Sequence, residues 1–293
     1  MSAIRYPVGT PSRTQLPAVA SVTIWASVSC ALLCAWLLAY ALGVSAVQQS
    51  RTQEQLYGQL RQELALATTK IGGNIDPGTP IALIEAPAIH LRQVVVEGTS
   101  AGVLRAGPGH RRNTPLPGQP GTAVLYGHSA GFGAPFRSIT KLRSGDVITV
   151  TTGQGRFDFD VSGVRRAQDP LPVPPPQGGG RITLVTAEGS GWRGGWAPDH
   201  VVYVDAVMRG IAQAGPPGRP RSVDTAEFAM QGDPDAFIPL VLWLQVLGLG
   251  AAAATAARLR WGGRQTWFIG VPVVLAGLWG VAESMAQFLP NLG

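Results

Sequence analysis

Three long stretches without a charged side chain constrain this chain more than any other feature. No Asp, Glu, Lys or Arg interrupts Gln15 to Ser50, and Leu16 to Val47 is mostly apolar. Ala236 to Ala257 is a second uncharged run. Thr266 to Ala282 is a third, extendable past Glu283 through Phe288 and Leu289. A hydrocarbon layer about 30 Å thick takes roughly 20 helical residues to cross, and more with tilt. The runs therefore predict three transmembrane α-helices, over residues 16–48, 236–257 and 266–289.

Arginine placement sets the expected orientation. Arg5 and Arg13 lie on the short arm 1–15, and Arg258, Arg260 and Arg264 lie on the loop 258–265 between the second and third runs. The positive-inside rule puts both on the cytoplasmic side. Residues from about 51 to 235 then face outward, and the N-terminus is cytoplasmic. The first run is too long for a signal peptide and no small-residue cleavage site follows it, so it reads as a signal anchor. The only cysteines, Cys30 and Cys34, fall inside it about one helical turn apart and read as small apolar residues of a membrane helix.

The net charge of +6 comes from 23 basic residues, of which only Lys70 and Lys141 are lysine. With abundant Gly, Ala and Pro, that bias suggests a GC-rich genome. The arginines of the outer part are scattered, which argues against nucleic-acid binding. The second run holds Gly248/Ala252 and Gly250/Ala254 at the spacing of small residues that lets helices approach closely.

Between the first two runs the pattern changes twice. Leu56, Leu60 and Leu64 recur at i, i+4, i+8 and predict an amphipathic helix within 49–75, either a stalk or packed on its own domain. Asp76-Pro77-Gly78-Thr79-Pro80 then breaks the chain. Residues 76–209 read as all-β, with strands over 81–84, 90–96, 121–126, 146–151, 156–164, 181–186 and 201–207. In Phe157-Asp158-Phe159-Asp160-Val161 the alternation puts the apolar residues inward and both aspartates on a solvated face. Pro170 to Gly180 is a Pro- then Gly-rich loop. Residues 210–235 form a second Pro/Gly/polar stretch, expected to be a linker that lets the domain move relative to the membrane. Short strands punctuated by Gly and Pro fit a small closed barrel.

An ordered set of motifs resembles the sortase family from about Ile81 to Val207. Val94-Val95-Val96-Glu97-Gly98-Thr99 and Val103-Leu104 resemble the entry into its barrel. Gly107-Pro108-Gly109-His110, Thr114, Leu116-Pro117-Gly118 and Gly121 resemble the run before the family's histidine strand, with Thr122 in place of an asparagine. Gly127-His128, Gly133-Ala134-Pro135-Phe136, Ile139, Leu142 and Gly145-Asp146 follow in the family's order, and Thr183-Leu184-Val185-Thr186-Ala187 resembles its T-L-x-T-C strand end. The resemblance implies an all-β sortase-type closed barrel of about eight strands, joined here to three transmembrane helices.

It also implies a chemistry that these residues do not support. In a sortase a cysteine thiolate attacks a peptide carbonyl, a histidine moves protons, and an arginine stabilises the developing oxyanion. His128 falls at the histidine position. Ala187 falls at the cysteine position, and a methyl group neither ionises nor forms a covalent intermediate. His200 falls at about the arginine position, with Val201 the alternative one residue on, and an imidazole lacks the planar fork of a guanidinium. Arg193 lies well before that position. The joint change implies a pseudo-sortase, with no cofactor and no metal, serving as a subunit or scaffold at a bacterial cytoplasmic membrane. Its expected partner is a membrane or cell-envelope protein, or a peptide in the vestigial groove. Three other readings stay open: a cysteine replaced by design; a hydrolase pairing His128 with Ser129, Thr186 or Ser190; and a metal site from His128, His200, Glu188 and Asp199.

Overall fold

The computed structural model describes residues 18–166, 168–189, 200–261 and 263–292. The chain divides into two units, parting between Leu38 and Ala39. The first unit supplies helix α1 (Ala18–Ala39), with Cys30 and Cys34 free and exposed.

In the second unit a π-helical turn (Tyr40–Val44) leads into α2 (Ser45–Ala65). Eight strands follow: β1 (Pro80–Ala86), β2 (Leu91–Glu97), β3 (Gly109–His110), β4 (Gly121–Tyr126), β5 (Val147–Thr152), β6 (Gly155–Arg166), β7 (Gly180–Glu188) and β8 (His200–Met208). They close into a barrel in the order β1-β2-β3-β4-β7-β8-β6-β5. The pairs β2–β3 and β4–β7 are parallel and the others antiparallel. Seven strands fall where alternation places them. β3 is only two residues long, too short to have a period.

Alternation also divides the side chains between two apolar clusters. Ala123, Leu125, Ile182, Leu184, Val204 and Ala206 point into the barrel with Phe157, Phe159 and Val161, and Phe136 and Ile139 plug it with no exposed surface. Val124, Tyr126, Val185, Ala187, Val201 and Tyr203 point outward into a second cluster. A short helix, α3 (Ala101–Leu104), contributes Leu104 to that outer cluster.

The helix α2 packs on the barrel rather than standing as a free stalk. Leu60 is buried, but polar groups fix the docking. Gln53 accepts from Val94 N (2.7 Å) and donates to the carbonyls of Val94 (3.1 Å) and Ala106 (2.7 Å). Gln49 donates to Gln93 Oε1 at 2.8 Å.

Residues 210–235, expected to act as a mobile linker, run over the barrel and are tied to it. Gln213 N donates to Gly118 O (2.9 Å), and Arg219 reaches Glu97 Oε1 (2.6 Å) and the carbonyl of Arg112 (3.1 Å). Composition alone marked this stretch as mobile, but it carries its own buried contacts.

Among the described residues two helices are long and apolar enough to cross a membrane, over Pro234–Ala257 and Gly270–Phe288. The first runs from a 3-10 turn (Pro234–Ala236) into α4 (Phe237–Trp261), and the second lies within α5 (Gly263–Phe288). Of the third expected span, 16–48, the apolar stretch found among the described residues is the shorter Ser27–Ala39. Part of that expected span lies outside the described residues, and its last part is the π-turn and the polar start of α2. The hairpin packs closely at glycines. A Cβ on Gly250 would meet Val273 at 3.0 Å and one on Gly277 would meet Leu247 at 3.2 Å, whereas Gly248 faces open space. Of the two small-residue pairs, the one containing Gly250 makes the helix contact.

Candidate functional site

The end of β7 and the turn after β4 lie side by side because β4 and β7 pair in parallel, Tyr126 opposite Val185. Gly127 N donates to Val185 O (3.0 Å), and the Thr186 hydroxyl donates to Gly127 O (2.8 Å). A Cβ on Gly127 would come within 2.6 Å of the buried Phe136 ring, so the close approach requires glycine. These contacts set His128 next to the β7 end. Its imidazole is 2% exposed and stacks, tilted, against Phe132 with ring centres 4.9 Å apart.

The loop after His128 carries a run of positive φ at Gly131, Phe132, Gly133 and Ala134, conformations that cost non-glycine residues energy. It is held from outside: Phe132 N donates to Ser45 Oγ (3.1 Å) and Phe136 N to His128 O (3.0 Å). The start of α2 therefore braces the segment that carries His128.

Ala187 sits one residue before the end of β7, 2% exposed, opposite Val201 on β8. Directly opposed residues share a face. The neighbours of Ala187 are thus the apolar outer cluster of Leu104, Tyr126, Val185 and Leu292, with Val201, Tyr203, Ala229 and Met230 at its edge. His200 pairs instead with Glu188 and is exposed at the strand end. The structure brings His128 and Ala187 to one end of the β4–β7 pair and leaves His200 at its rim. Arg193, Ser190 and Asp199 lie outside the described residues.

Among the described residues a nucleophile or a metal at this end finds few candidates. The Thr186 hydroxyl is committed to the Gly127 carbonyl. Among the described residues no group of three or more His, Cys, Asp or Glu is placed to hold a metal. Asp158 accepts from Thr149 (2.7 Å), and Asp160 pairs with Arg209 (2.6 Å) on the solvated face that alternation predicts. The hydrogen bond from Arg209 holds the Asp160 carboxyl below its ordinary range. Burial pushes the Tyr126 hydroxyl above the ordinary tyrosine value, outweighing the opposing charge of Arg111.

Residues 84–203 match the family model described as Sortase domain. That match spans β1 to β8, including His128, Ala187 and His200. The barrel is a sortase domain.

Among curated relatives, Sortase D of Bacillus subtilis is 30% identical over 95 residues, covering 32% of this chain and 46% of the relative. Sortase SrtE1 of Streptomyces coelicolor is 31% identical over 131 residues, covering 39% of this chain and 37% of the relative. The chain thus spans less than half the length of these relatives. Among solved structures, a Clostridium perfringens Sortase D5 transpeptidase aligns with TM-score 0.44 and 24% identity, over 55% of this chain and 99% of that one. Sortase E of Streptomyces avermitilis aligns with TM-score 0.38 and 27% identity, over 46% and 91%.

Other polar groups of the sortase domain are structural. His110 is fully buried, with Nδ1 3.0 Å from Glu97 Oε2 and Nε2 2.9 Å from the Pro115 carbonyl. Arg219 completes this cluster from the far side. Arg181 spans from β7 to the Val173 carbonyl on the Pro-rich loop, whose Leu171 and Val173 side chains are otherwise exposed. Sequence reasoning did not find Leu104, Tyr126 and Leu292 as neighbours of position 187. Alternation along β4 would have found Tyr126, but nothing local signals Leu292.

Proposed function

We propose that this chain is a membrane-anchored, outward-facing sortase-fold protein that performs no transpeptidation itself and serves as a subunit or scaffold for a cell-envelope or membrane-protein partner. The observation that carries the reading is the chemistry around position 187. A transpeptidase needs an ionisable sulfur or oxygen there, next to a histidine and an oxyanion donor. The β7 end offers a methyl group packed among Leu104, Tyr126, Val185 and Leu292. His128 is inherited from the family pattern, and His200 stands where the arginine is expected. Three spans, from α1, α4 and α5, anchor the chain with its N-terminus and the α4–α5 turn in the cytoplasm, in keeping with the arginines at both places. Two helices beyond a single anchor give surface for assembly with another membrane protein.

The test is purification of the tagged native protein from its own membranes in mild detergent, with mass spectrometry of what is retained. The expected result is a membrane protein held in fixed ratio through gel filtration. A clean monomer that cleaves or transfers peptides would overturn the reading.

A further inference from the structure

The segment that follows α5 returns to the apolar cluster that holds Ala187. Leu292 has no exposed surface and belongs to the same apolar cluster as Ala187, Val185, Tyr126 and Leu104. Asn291, also fully buried, is clamped: its backbone N–H donates to Gln231 O (3.0 Å), and its side-chain amide donates to the carbonyls of Thr99 (2.7 Å) and Phe228 (2.9 Å). The segment that receives it is built for the purpose. Thr99 donates to Glu227 O (2.7 Å), Asp233 N donates to Gln287 O (3.0 Å), and the Arg111 guanidinium lies 5.1 Å from the centre of the Phe228 ring. A carbonyl attacked from position 187 would have to lie about 3–3.5 Å from the attacking atom. Leu292, buried in the same cluster as Ala187, lies on the side from which such a carbonyl would approach the outer face of β7.

We infer that the tail Leu289–Leu292 is a built-in ligand that closes the site. Another extended peptide, one offering an apolar side chain beside a carboxamide as the tail does, enters only when the tail is withdrawn. Asn291 lies three residues beyond the end of α5, and Gly232 at the other end of the hairpin packs against the backbone of Phe288 and Leu289. Glu283 on α5 pairs with Arg105, just after α3, at 3.1 Å. A partner that shifts the hairpin by the 1–2 Å typical of helix displacements would therefore pull directly on the clamp. Closure of the site is coupled to the membrane helices. The inference deepens the assignment of Ala187 made above, but the tail's position is measurable whether or not the chain has a partner or an activity.

The test is thiol reactivity at position 187 in the full chain. With Cys30→Ala and Cys34→Ala removing the only native thiols, Ala187→Cys is treated with a maleimide in detergent, and the labelling rate is followed by intact mass. The full-length protein is expected to label slowly. Truncation after Phe288 is expected to raise the rate by about tenfold or more, as removal of a local closing contact does. A synthetic peptide of residues 287–293 is expected to lower it again. Thermal unfolding checks that the truncated chain remains folded; if it does not, Asn291→Ala, which removes only the amide clamp, is measured in its place with the same expectation. Labelling of the full chain as fast as the truncated one, or no change on truncation or clamp removal, would overturn the inference. Either result stands apart from the purification, because it reads the tail and not the partner.

Discussion

Replacing Arg219 by methionine tests whether residues 210–235 belong to the folded domain. Arg219 Nη2 lies 2.6 Å from Glu97 Oε1, with the Glu97 side chain 1% and the Arg219 side chain 14% exposed. Methionine keeps much of the volume and removes the charge, leaving Glu97 buried with only His110 beside it. Breaking a buried pair from one side costs about 3–5 kcal/mol, and His110 keeps the expected cost near the lower end, about 3 kcal/mol. At about 3 °C per kcal/mol for a domain of this size, the unfolding midpoint should fall by about 9 °C. The control is Arg209→Met. Its partner Asp160 is just as near, at 2.6 Å, but both side chains are exposed to solvent over about half their surface, 54% and 44%, and the loss of the pair should not move the midpoint measurably. The assay is thermal unfolding of the full chain in detergent, together with limited proteolysis. Arg219→Met should also expose 210–224 to cleavage while the folded barrel survives. Equal effects of the two substitutions, or an unchanged cleavage pattern, would refute the view that this stretch is fastened by a buried charge.

Gly127→Ala should destabilise the full chain by about 1–3 kcal/mol in the same melt, because its methyl group would press on the Phe136 ring; a neutral outcome would mean that the His128 turn is looser than the contacts imply. Tyr126 gives a pH signature. Its folded-state value is raised, so its contribution is complete below the ordinary tyrosine value of about 10 and is lost as pH rises through the folded value. Tyrosinate absorbance should show a late-ionising fraction, and Tyr126→Phe should reduce it. The Asp160 carboxyl is lowered, so its small contribution is present above the ordinary carboxylate value and fades only as pH falls through the folded one. Asp160→Asn should therefore change the neutral-pH melt by no more than Arg209→Met does and leave stability at low pH, where the contribution is already lost, unchanged.

Elements with a repeating pattern were legible in the sequence, and those held by single distant contacts were not. Phe157, Phe159 and Val161 are buried as their alternation requires, while Asp158 and Asp160 face outward to Thr149 and Arg209. The leucine stripe located α2, but the glutamines that dock it, Gln49 and Gln53, have no apolar signature. Arg219 finds Glu97 122 residues upstream, and Asn291 finds Thr99 192 residues upstream; neither pairing leaves a local trace. The Pro- and Gly-rich composition of 210–235 signals absence of regular structure, which is not absence of fixed contacts. At the site, the two motifs fall on β4 and β7, whose parallel pairing sets the turn that carries His128 beside the strand end that carries Ala187. They carry no trace of Leu292, which joins the cluster around Ala187 from beyond a membrane-length helix.

The central claim, that the site has no working nucleophile, is tested most directly by intact-mass spectrometry of the purified full chain. The protein is incubated with an extract of its own cell envelope and, separately, with a fluorophosphonate that captures activated serine and threonine hydroxyls. The expected result is the unmodified polypeptide mass in both. A peptide or phosphonyl adduct that maps to Ser129, Thr186 or Ser190 and disappears in His128→Gln would contradict it.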